Sequence, residues 1–179
     1  CTATVGLREQ LAVPPRELPE ALRSLRTGFD MSEAVILSTC NRVELYVASS
    51  DPVAATHNLV DFLSYRSRTR PEALRPHLYG LQSRAAATQH FRVAAGLDSM
   101  VVGESEITAQ VKQAYLAALT AGTTGAFLNR LFQKALHSAK IVRSQTNLAQ
   151  GHASLGAAVA RLVRGVLGPR LATCDILLW

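Results

Sequence analysis

The sequence predicts an α+β fold, in which a small antiparallel sheet with helices is followed by a helical subdomain. Two short runs of strand-forming residues, 34–37 and 43–47, flank a polar turn in the first half of the chain. From residue 84 onward, apolar residues recur only at helical spacing. With 179 residues and an apolar fraction of 48%, the chain is long enough to bury a core of its own.

Helices and strands alternate in the first half. A helix is predicted over 17–25, where leucines recur at helical spacing after a Pro-Pro turn. The run 43–47 alternates apolar and polar residues, as a half-buried strand does. A second helix is predicted over 53–65, because Asp51-Pro52 is a helix start signal.

The boundaries of the remaining elements are predicted from the positions of proline and glycine. The stretch 66–75 is charged and interrupted by proline, which predicts a loop leading into a short helix, and His77-Leu78-Tyr79 is interpreted as a further strand. The second half is predicted to contain four helices, over 85–95, 104–121, 125–143 and 154–166. Residues 175–179 have the composition of an opening strand.

Composition narrows the class of protein. No run of about 18 apolar residues occurs, so no membrane span and no membrane partner are expected. Three scattered cysteines form neither a disulfide framework nor a C-x-x-C pair, which favours a reducing, cytoplasmic setting and predicts no metal site. The net charge of +6 suits a polyanionic partner such as tRNA, but it equally suits an Arg-rich sequence with no such partner.

The most informative segment is the turn between the two strands, Ser38-Thr39-Cys40-Asn41-Arg42. A strand, a polar turn and a second strand would present the Cys40 thiol at a sheet edge. A fixed cation at Arg42 favours the reactive thiolate and can bind a carboxylate in bidentate fashion. The pattern indicates a nucleophilic cysteine for an acidic acyl substrate, although a cysteine in a turn is often a bystander.

Residues 38–46 resemble the catalytic segment of glutamyl-tRNA reductases. Three further blocks agree in the same order: Thr2 to Val5 with Leu7 to Glu9; Gly96 to Glu104 with Ile107 and Gln110 to Lys112; and Leu128-Asn129 with Phe132 to Ala135, Lys140, Val142-Arg143 and Thr146-Asn147. The resemblance covers nearly the whole chain, and four blocks in register are more specific than any one of them.

The resemblance implies the first step of the five-carbon route to tetrapyrroles, including porphyrins and heme. In that reaction glutamyl-tRNA is reduced with NADPH to glutamate-1-semialdehyde through a cysteine thioester, so an oxidoreductase is expected. The implied partner is glutamyl-tRNA, with a homodimer in the full-length protein and no DNA partner. The implied location is the cytoplasm.

The resemblance also implies a domain organisation. Residues 1–83 are expected to form an α/β catalytic subdomain that carries the cysteine, and residues 84–150 a helical subdomain. Residues 151–179 are expected to form a connecting helix and the first strand of a truncated, Rossmann-type NADPH-binding domain. No G-x-G-x-x-G occurs in the sequence, so no cofactor-binding residue is expected here. On this interpretation the chain forms the thioester but cannot reduce it.

Site residues follow from the resemblance, position by position. Cys40 is the implied nucleophile, and Arg42 is the implied ligand of the substrate glutamate, with a salt bridge to Glu44 as its alternative. Thr39 and Ser99 match polar residues that line the glutamate pocket in the family, although either is also a plausible turn residue that bonds to its own backbone.

His90 is implied to be catalytic, because the family carries a histidine on the helix before Gly-Leu-Asp-Ser that reaches the active site. Here the interval from His90 to Gly96 is one residue shorter than in the family. One residue is a rotation of about 100° on a helix, so either His90 or the apolar residues after it should point the wrong way. The alternative is a packing or capping histidine.

The helix from residue 125 places Arg130, Lys134 and His137 on one stripe, flanked by Lys140, with apolar residues opposite. These cations are candidates to meet tRNA phosphates. The alternative is the solvated face of an amphipathic helix.

Two other functions stay open at this point. One is a non-catalytic, truncated paralogue acting as a binding protein, which the short interval after His90 favours and the intact turn around Cys40 opposes. The other is a cysteine hydrolase, which requires a histidine base within hydrogen-bond reach of Cys40.

Overall fold

The computed structural model describes residues 3–99 and 106–146, together with residues 164, 165 and 168. The elements in chain order are α1 (Val5–Leu11), α2 (Leu18–Thr27), β1 (Glu33–Ser38), β2 (Val43–Ala48), α3 (Pro52–Ser67), α4 (Pro71–Leu74), a 3₁₀ helix (Arg75–His77), α5 (Ser83–Ala94), α6 (Glu106–Thr120) and α7 (Ala126–Gln145). The α+β class is confirmed.

The sheet of the described residues is one antiparallel hairpin, with Ser38 opposite Val43 and Glu33 opposite Ala48. Residues 33–37 of β1 are buried, whereas all of β2 is half-buried. The second edge of β1 is covered by the segment after α6. There Ala34 N–H donates to the Thr123 carbonyl at 2.7 Å, and the Thr123 hydroxyl donates to the Ala34 carbonyl at 2.9 Å. An edge that is paired in this way is closed to a further strand.

The predicted helix boundaries are confirmed by their caps. Asp51 accepts hydrogen bonds at 3.0 Å from the backbone N–H groups of Val53 and Ala54, which starts α3. Gly96 and Gly122 follow α5 and α6 with φ of 75° and 68°, a left-handed conformation that glycine adopts without steric cost. Gly96 thereby redirects the chain toward Asp98.

One hydrophobic cluster joins the hairpin to helices from both halves of the chain. Its fully buried members include Val35 of β1, Leu25 of α2, Val93 of α5, Val111 of α6 and Phe132 of α7. The second half therefore supports the hairpin directly, and the turn between β1 and β2 projects from this shared core.

Two features of the first half differ from the sequence prediction. His77-Leu78-Tyr79 is not a strand, because Pro76 lies in a 3₁₀ helix that ends at His77, and Leu78 then packs against the core. The helix α1 was not predicted; it begins after Thr4, whose hydroxyl accepts from Leu7 N–H at 3.3 Å.

Other predictions fall on parts of the chain outside the described residues. These are the start of the helix predicted from residue 104, most of the helix predicted over 154–166 and the strand over 175–179. Within the described residues, no helix combines the length and the apolar character that a membrane crossing requires.

Candidate active site

The hairpin turn is closed by Thr39. Its N–H donates to the Arg42 carbonyl at 2.8 Å, and its hydroxyl oxygen accepts from the N–H groups of Asn41 and Arg42 at 3.2 and 3.1 Å. Thr39 is therefore bonded to nearby backbone as a turn residue is, and its role in the glutamate pocket stays a prediction. Cys40 is left exposed at the tip of this turn as a free thiol.

Two contacts from the N-terminal segment tether the same turn. Arg8 of α1 donates to the Asn41 side-chain oxygen at 3.3 Å, and Val13 N–H donates to the Ser38 hydroxyl at 2.9 Å. The residues on both sides of Cys40 are thus held from outside the hairpin, so the thiol sits on a constrained backbone.

Arg42 is held by two carboxylates. Its Nη1 lies 2.8 Å from Glu44 Oε1 and 3.2 Å from Asp98 Oδ2, and its Nη2 donates to the Asp98 backbone carbonyl. Its side chain is only 16% exposed. Burial works against the charged form of Arg42, but Glu44 and Asp98 outweigh it and raise the pKa of the guanidinium. The positive charge of Arg42 is therefore compensated by two negative ones.

Glu44 is the anchor of this cluster. Its side chain is 9% exposed, and it accepts hydrogen bonds from Arg42, from the Tyr79 hydroxyl at 2.9 Å and from the Tyr46 hydroxyl. Burial, and then the negative charge of Glu44, raise the pKa of both tyrosine hydroxyls. Both hydroxyls consequently stay protonated donors at neutral pH.

Asp98 reaches the cluster from the end of α5. Its Oδ2 accepts from Arg42 and also from Gln89 Nε2, the latter at 2.8 Å. Ser99 follows Asp98 in the chain and is half-buried. Because Asp98 contacts Arg42, the segment that contains Ser99 lies close to Arg42.

His90 has a different environment from the other predicted site residues. Its side chain is fully buried, with ring centroids 4.6 Å from Tyr46 and 4.1 Å from Phe132, and neither ring nitrogen has a hydrogen-bond partner among the described residues. Burial lowers its pKa to about 4, so the ring is neutral at physiological pH. These are the properties of a packing histidine, and a catalytic role for His90 stays a prediction that its surroundings do not support.

The placement of His90 agrees with the rotation that is expected from its interval to Gly96. Gln89 lies one residue earlier on the same helix. Gln89 contacts Asp98, whereas His90, about 100° further around the helix, points into the core.

Five members of the cluster were not predicted as site residues: Glu44, Tyr46, Tyr79, Gln89 and Asp98. Glu44 and Tyr46 had a local signal, because they are two apart on β2 and share a face. Tyr79 and Gln89 had no such signal, since they are 35 residues from Glu44 and 9 from Asp98 respectively.

The basic stripe of α7 is confirmed as one face of an amphipathic helix. Arg130, Lys134, His137 and Lys140 are all exposed. The buried positions lie opposite, at Leu128, Phe132, Ala135 and Ala139. Residues 126–145 contain no acidic residue, so the positive potential of this face is not compensated along the helix.

The fold and the site together define a class: an α+β domain that presents an exposed cysteine two residues before a half-buried arginine bound to carboxylates. A family model described as glutamyl-tRNA(Glu) reductase, N-terminal domain, matches residues 1–146, and the chain belongs to this family.

Individual relatives agree with the family model. The chain is similar to the glutamyl-tRNA reductase of Magnetococcus marinus (42% identity over 167 residues) and to that of Thiobacillus denitrificans (46% over 165 residues). It is also similar in structure to the glutamyl-tRNA reductase from Methanopyrus kandleri, with a TM-score of 0.72 and 32% identity over 93% of this chain and 38% of that one. The chain spans 40% and 39% of the length of the two curated relatives.

Proposed function

We propose that this chain is the acyl-accepting part of a glutamyl-tRNA reductase and that Cys40 is its nucleophile. The observation that carries the proposal is the exposed Cys40 thiol on a turn fixed by Thr39, two residues from a half-buried Arg42. Family membership over residues 1–146 supplies the substrate class.

In the proposed step, the Cys40 thiol gives up its proton to solvent and its sulfur attacks the acyl carbon of the ester that joins glutamate to its tRNA. The new S–C bond forms as the C–O bond to the terminal ribose breaks. The released ribose oxygen takes up a proton, so free tRNA leaves and a thioester remains on Cys40. This divides a difficult reduction into an acyl transfer and a later hydride step.

Arg42 is proposed to bind the side-chain carboxylate of the glutamyl group. The guanidinium of Arg42 is already oriented by its hydrogen bond to Glu44, whose side chain is largely buried. Ser99, beside Asp98, is proposed to line the same pocket, and Thr39 to act mainly by fixing the turn around Cys40.

NADPH is the reductant that the family implies, and it would supply hydride to the thioester to release glutamate-1-semialdehyde. The described residues do not fit this cofactor, because they contain no glycine-rich turn between a strand and a helix. We therefore assign the chain the acyl-transfer half of the reaction and place NADPH on a further domain, which residues 151–179 are proposed to begin. The proposed setting is tetrapyrrole synthesis in the cytoplasm, by a homodimer in the full-length protein.

The exposed cations of α7 are proposed to contact the tRNA backbone. Phosphate contacts position a nucleic acid without reading its sequence, and they depend strongly on salt. Arg130, Lys134 and Lys140 suit this role because they are exposed and lie on one acid-free helix.

The test is substrate-dependent deacylation. Tenfold excess of the chain over radiolabelled glutamyl-tRNA should release tRNA in a reaction that Cys40→Ser slows strongly. A tRNA mischarged with glutamine, whose side chain is isosteric with that of glutamate but uncharged, should react more slowly than glutamyl-tRNA with the wild type. With Arg42→Ala, the two charged tRNAs should react at the same rate. Tight binding of glutamyl-tRNA without Cys40-dependent release would instead support the non-catalytic binding protein. A hydrolase has no support from the described residues, in which no histidine bonds Cys40.

A further inference from the structure

Two carboxylates compete for the single guanidinium of Arg42, and they differ in how firmly they are held. Glu44 is 9% exposed and accepts from three donors, whereas the Asp98 side chain is 40% exposed. Arg42, Glu44 and Asp98 together carry a net charge of −1. An acidic ligand that approaches Arg42 therefore meets a net negative cluster, unless one carboxylate moves away from the guanidinium.

Asp98 is the carboxylate that can move. Its Oδ2 is shared between Arg42 Nη1 at 3.2 Å and Gln89 Nε2 at 2.8 Å, so a second donor is already in place. Gln89 is half-buried on α5 and is anchored by the helix rather than by the ligand site. Losing the side-chain bond to Arg42 would leave the Asp98 carboxylate hydrogen-bonded to Gln89 and open to water, while Arg42 Nη2 keeps its bond to the Asp98 backbone carbonyl.

We propose that Asp98 is a placeholder for the ligand's carboxylate, and that Gln89 is the positioning residue that retains Asp98 when Arg42 passes to the ligand. The ligand class is a group with a free carboxylate, and this proposal rests on the binding role proposed for Arg42. In the free protein the Asp98 carboxylate pairs with the Arg42 guanidinium. In the complex the carboxylate of the ligand takes the position of the Asp98 carboxylate on Arg42, and Glu44 stays in place.

The test uses the charge of an alkylating reagent and needs no tRNA. Iodoacetate carries a carboxylate and iodoacetamide does not, and both alkylate the same thiolate. The ratio of their rates at Cys40, measured by peptide mass spectrometry, therefore cancels differences in the thiolate fraction. Under the binding role proposed for Arg42, the ratio reports how available its guanidinium is to the carboxylate of a reagent that reacts with Cys40.

Asp98→Asn keeps the size of the side chain and removes the competing charge, so it should raise the iodoacetate-to-iodoacetamide ratio by about three- to tenfold. Gln89→Ala removes the alternative donor and should lower the ratio by about twofold, because Asp98 then stays on Arg42. In the double variant the effect of Gln89→Ala should vanish, since it acts only through Asp98. Thr88→Ala, on the exposed side of α5, is the matched control and should leave the ratio unchanged.

An unchanged or lowered ratio in Asp98→Asn overturns the proposal and makes Asp98 a fixed support of Arg42. An effect of Gln89→Ala that persists in the double variant also overturns it. Thermal denaturation identifies any variant that fails to fold, and the two single variants test the placeholder from opposite directions. Because the ratio does not involve acyl transfer, the placeholder can stand or fail separately from the function proposed for Cys40.

Discussion

Arg42, at the end of the hairpin turn, and Glu44 of β2 form an ion pair of 2.8 Å that is largely closed to solvent. Breaking a buried pair from one side costs more than the pair contributes, because a charge is left without its partner. The rigidity of the site therefore depends on Glu44 as much as on Arg42.

We expect Glu44→Gln to lower the free energy of unfolding by about 2–4 kcal/mol, since Arg42 loses a charged partner and one of the two oxygens that accept from the tyrosine hydroxyls becomes an NH2 donor. Chemical denaturation measures this change. Tyr79→Phe is the control, because it removes a single bond from an exposed residue and should cost about 0.5–1 kcal/mol. Equal effects of the two variants would contradict the central role given to Glu44.

The start of α7 is fixed by a carboxylate from β1. Glu33 is buried and accepts from the backbone N–H groups of Gly125, Phe127 and Leu128 at 2.9, 3.0 and 2.7 Å. A Cβ at residue 125 would lie 2.6 Å from Glu33 Oε1, and this oxygen cannot retreat without losing its hydrogen bond from Phe127 N–H.

Gly125→Ala should therefore destabilise the fold by about 1–3 kcal/mol, through the displaced Glu33 cap. Gly80→Ala is the matched control, because nothing lies within 4 Å of the added Cβ. Thermal unfolding of both variants decides the matter. A Gly125→Ala protein as stable as Gly80→Ala would show that Glu33 does not hold α7 in solution.

The burial of His90 predicts a dependence of stability on pH. Its folded-state pKa of about 4 lies below the unfolded value of 6.5, so the unfolded chain binds the proton first as the pH falls. Stability is fully present above about pH 6.5 and is lost progressively toward pH 4. At pH 5 the loss from His90 should be about 2 kcal/mol.

His90→Leu should remove this part of the pH dependence and be at least as stable as wild type at pH 7, because two unpaired ring nitrogens disappear from the core. The exposed His137→Leu is the control and should leave the pH dependence nearly unchanged. Acyl transfer by His90→Leu should stay within about threefold of wild type, whereas loss of a general acid or base costs about 10²–10⁴-fold. A loss of acyl-transfer rate of that size would show that His90 takes part in catalysis.

The cations of α7 predict the salt dependence of tRNA binding. Replacing Arg130, Lys134 or Lys140 by alanine should weaken binding for any tRNA sequence and reduce the slope of log K against log salt by about 1 for each phosphate that is no longer neutralised. Lys112→Ala, exposed on α6, is the control. Slopes that match wild type would mean that this face of α7 is only solvated.

The local parts of the fold could be predicted from sequence because their signals are local. The Asp51-Pro52 start of α3, the glycine ends of α5 and α6 and the hairpin around Cys40 each follow from residues within a few positions. The strand predicted at Tyr79 was wrong, since three strand-forming residues after Pro76 do not outweigh a 3₁₀ turn.

The long-range parts of the site could not be predicted in this way. Glu33 caps a helix 92–95 residues away, and Asp98 contacts Arg42 across 56 residues. The periodicity of apolar residues does not predict contacts at such separations. The placement of His90 depended on one residue of helical register, because the shortened interval puts Gln89 toward Asp98 and His90 toward Phe132.

The measurement that tests the central claim most directly is the trapping of an acyl group on Cys40. The chain would be mixed with glutamyl-tRNA labelled in the glutamate, quenched in acid and analysed for label and mass on the Cys40 peptide, with Cys40→Ala in parallel. The account predicts label on wild type that hydroxylamine releases, as a thioester requires, and none on the variant. Absence of label on wild type, with deacylation no faster than for Cys40→Ala, would contradict it.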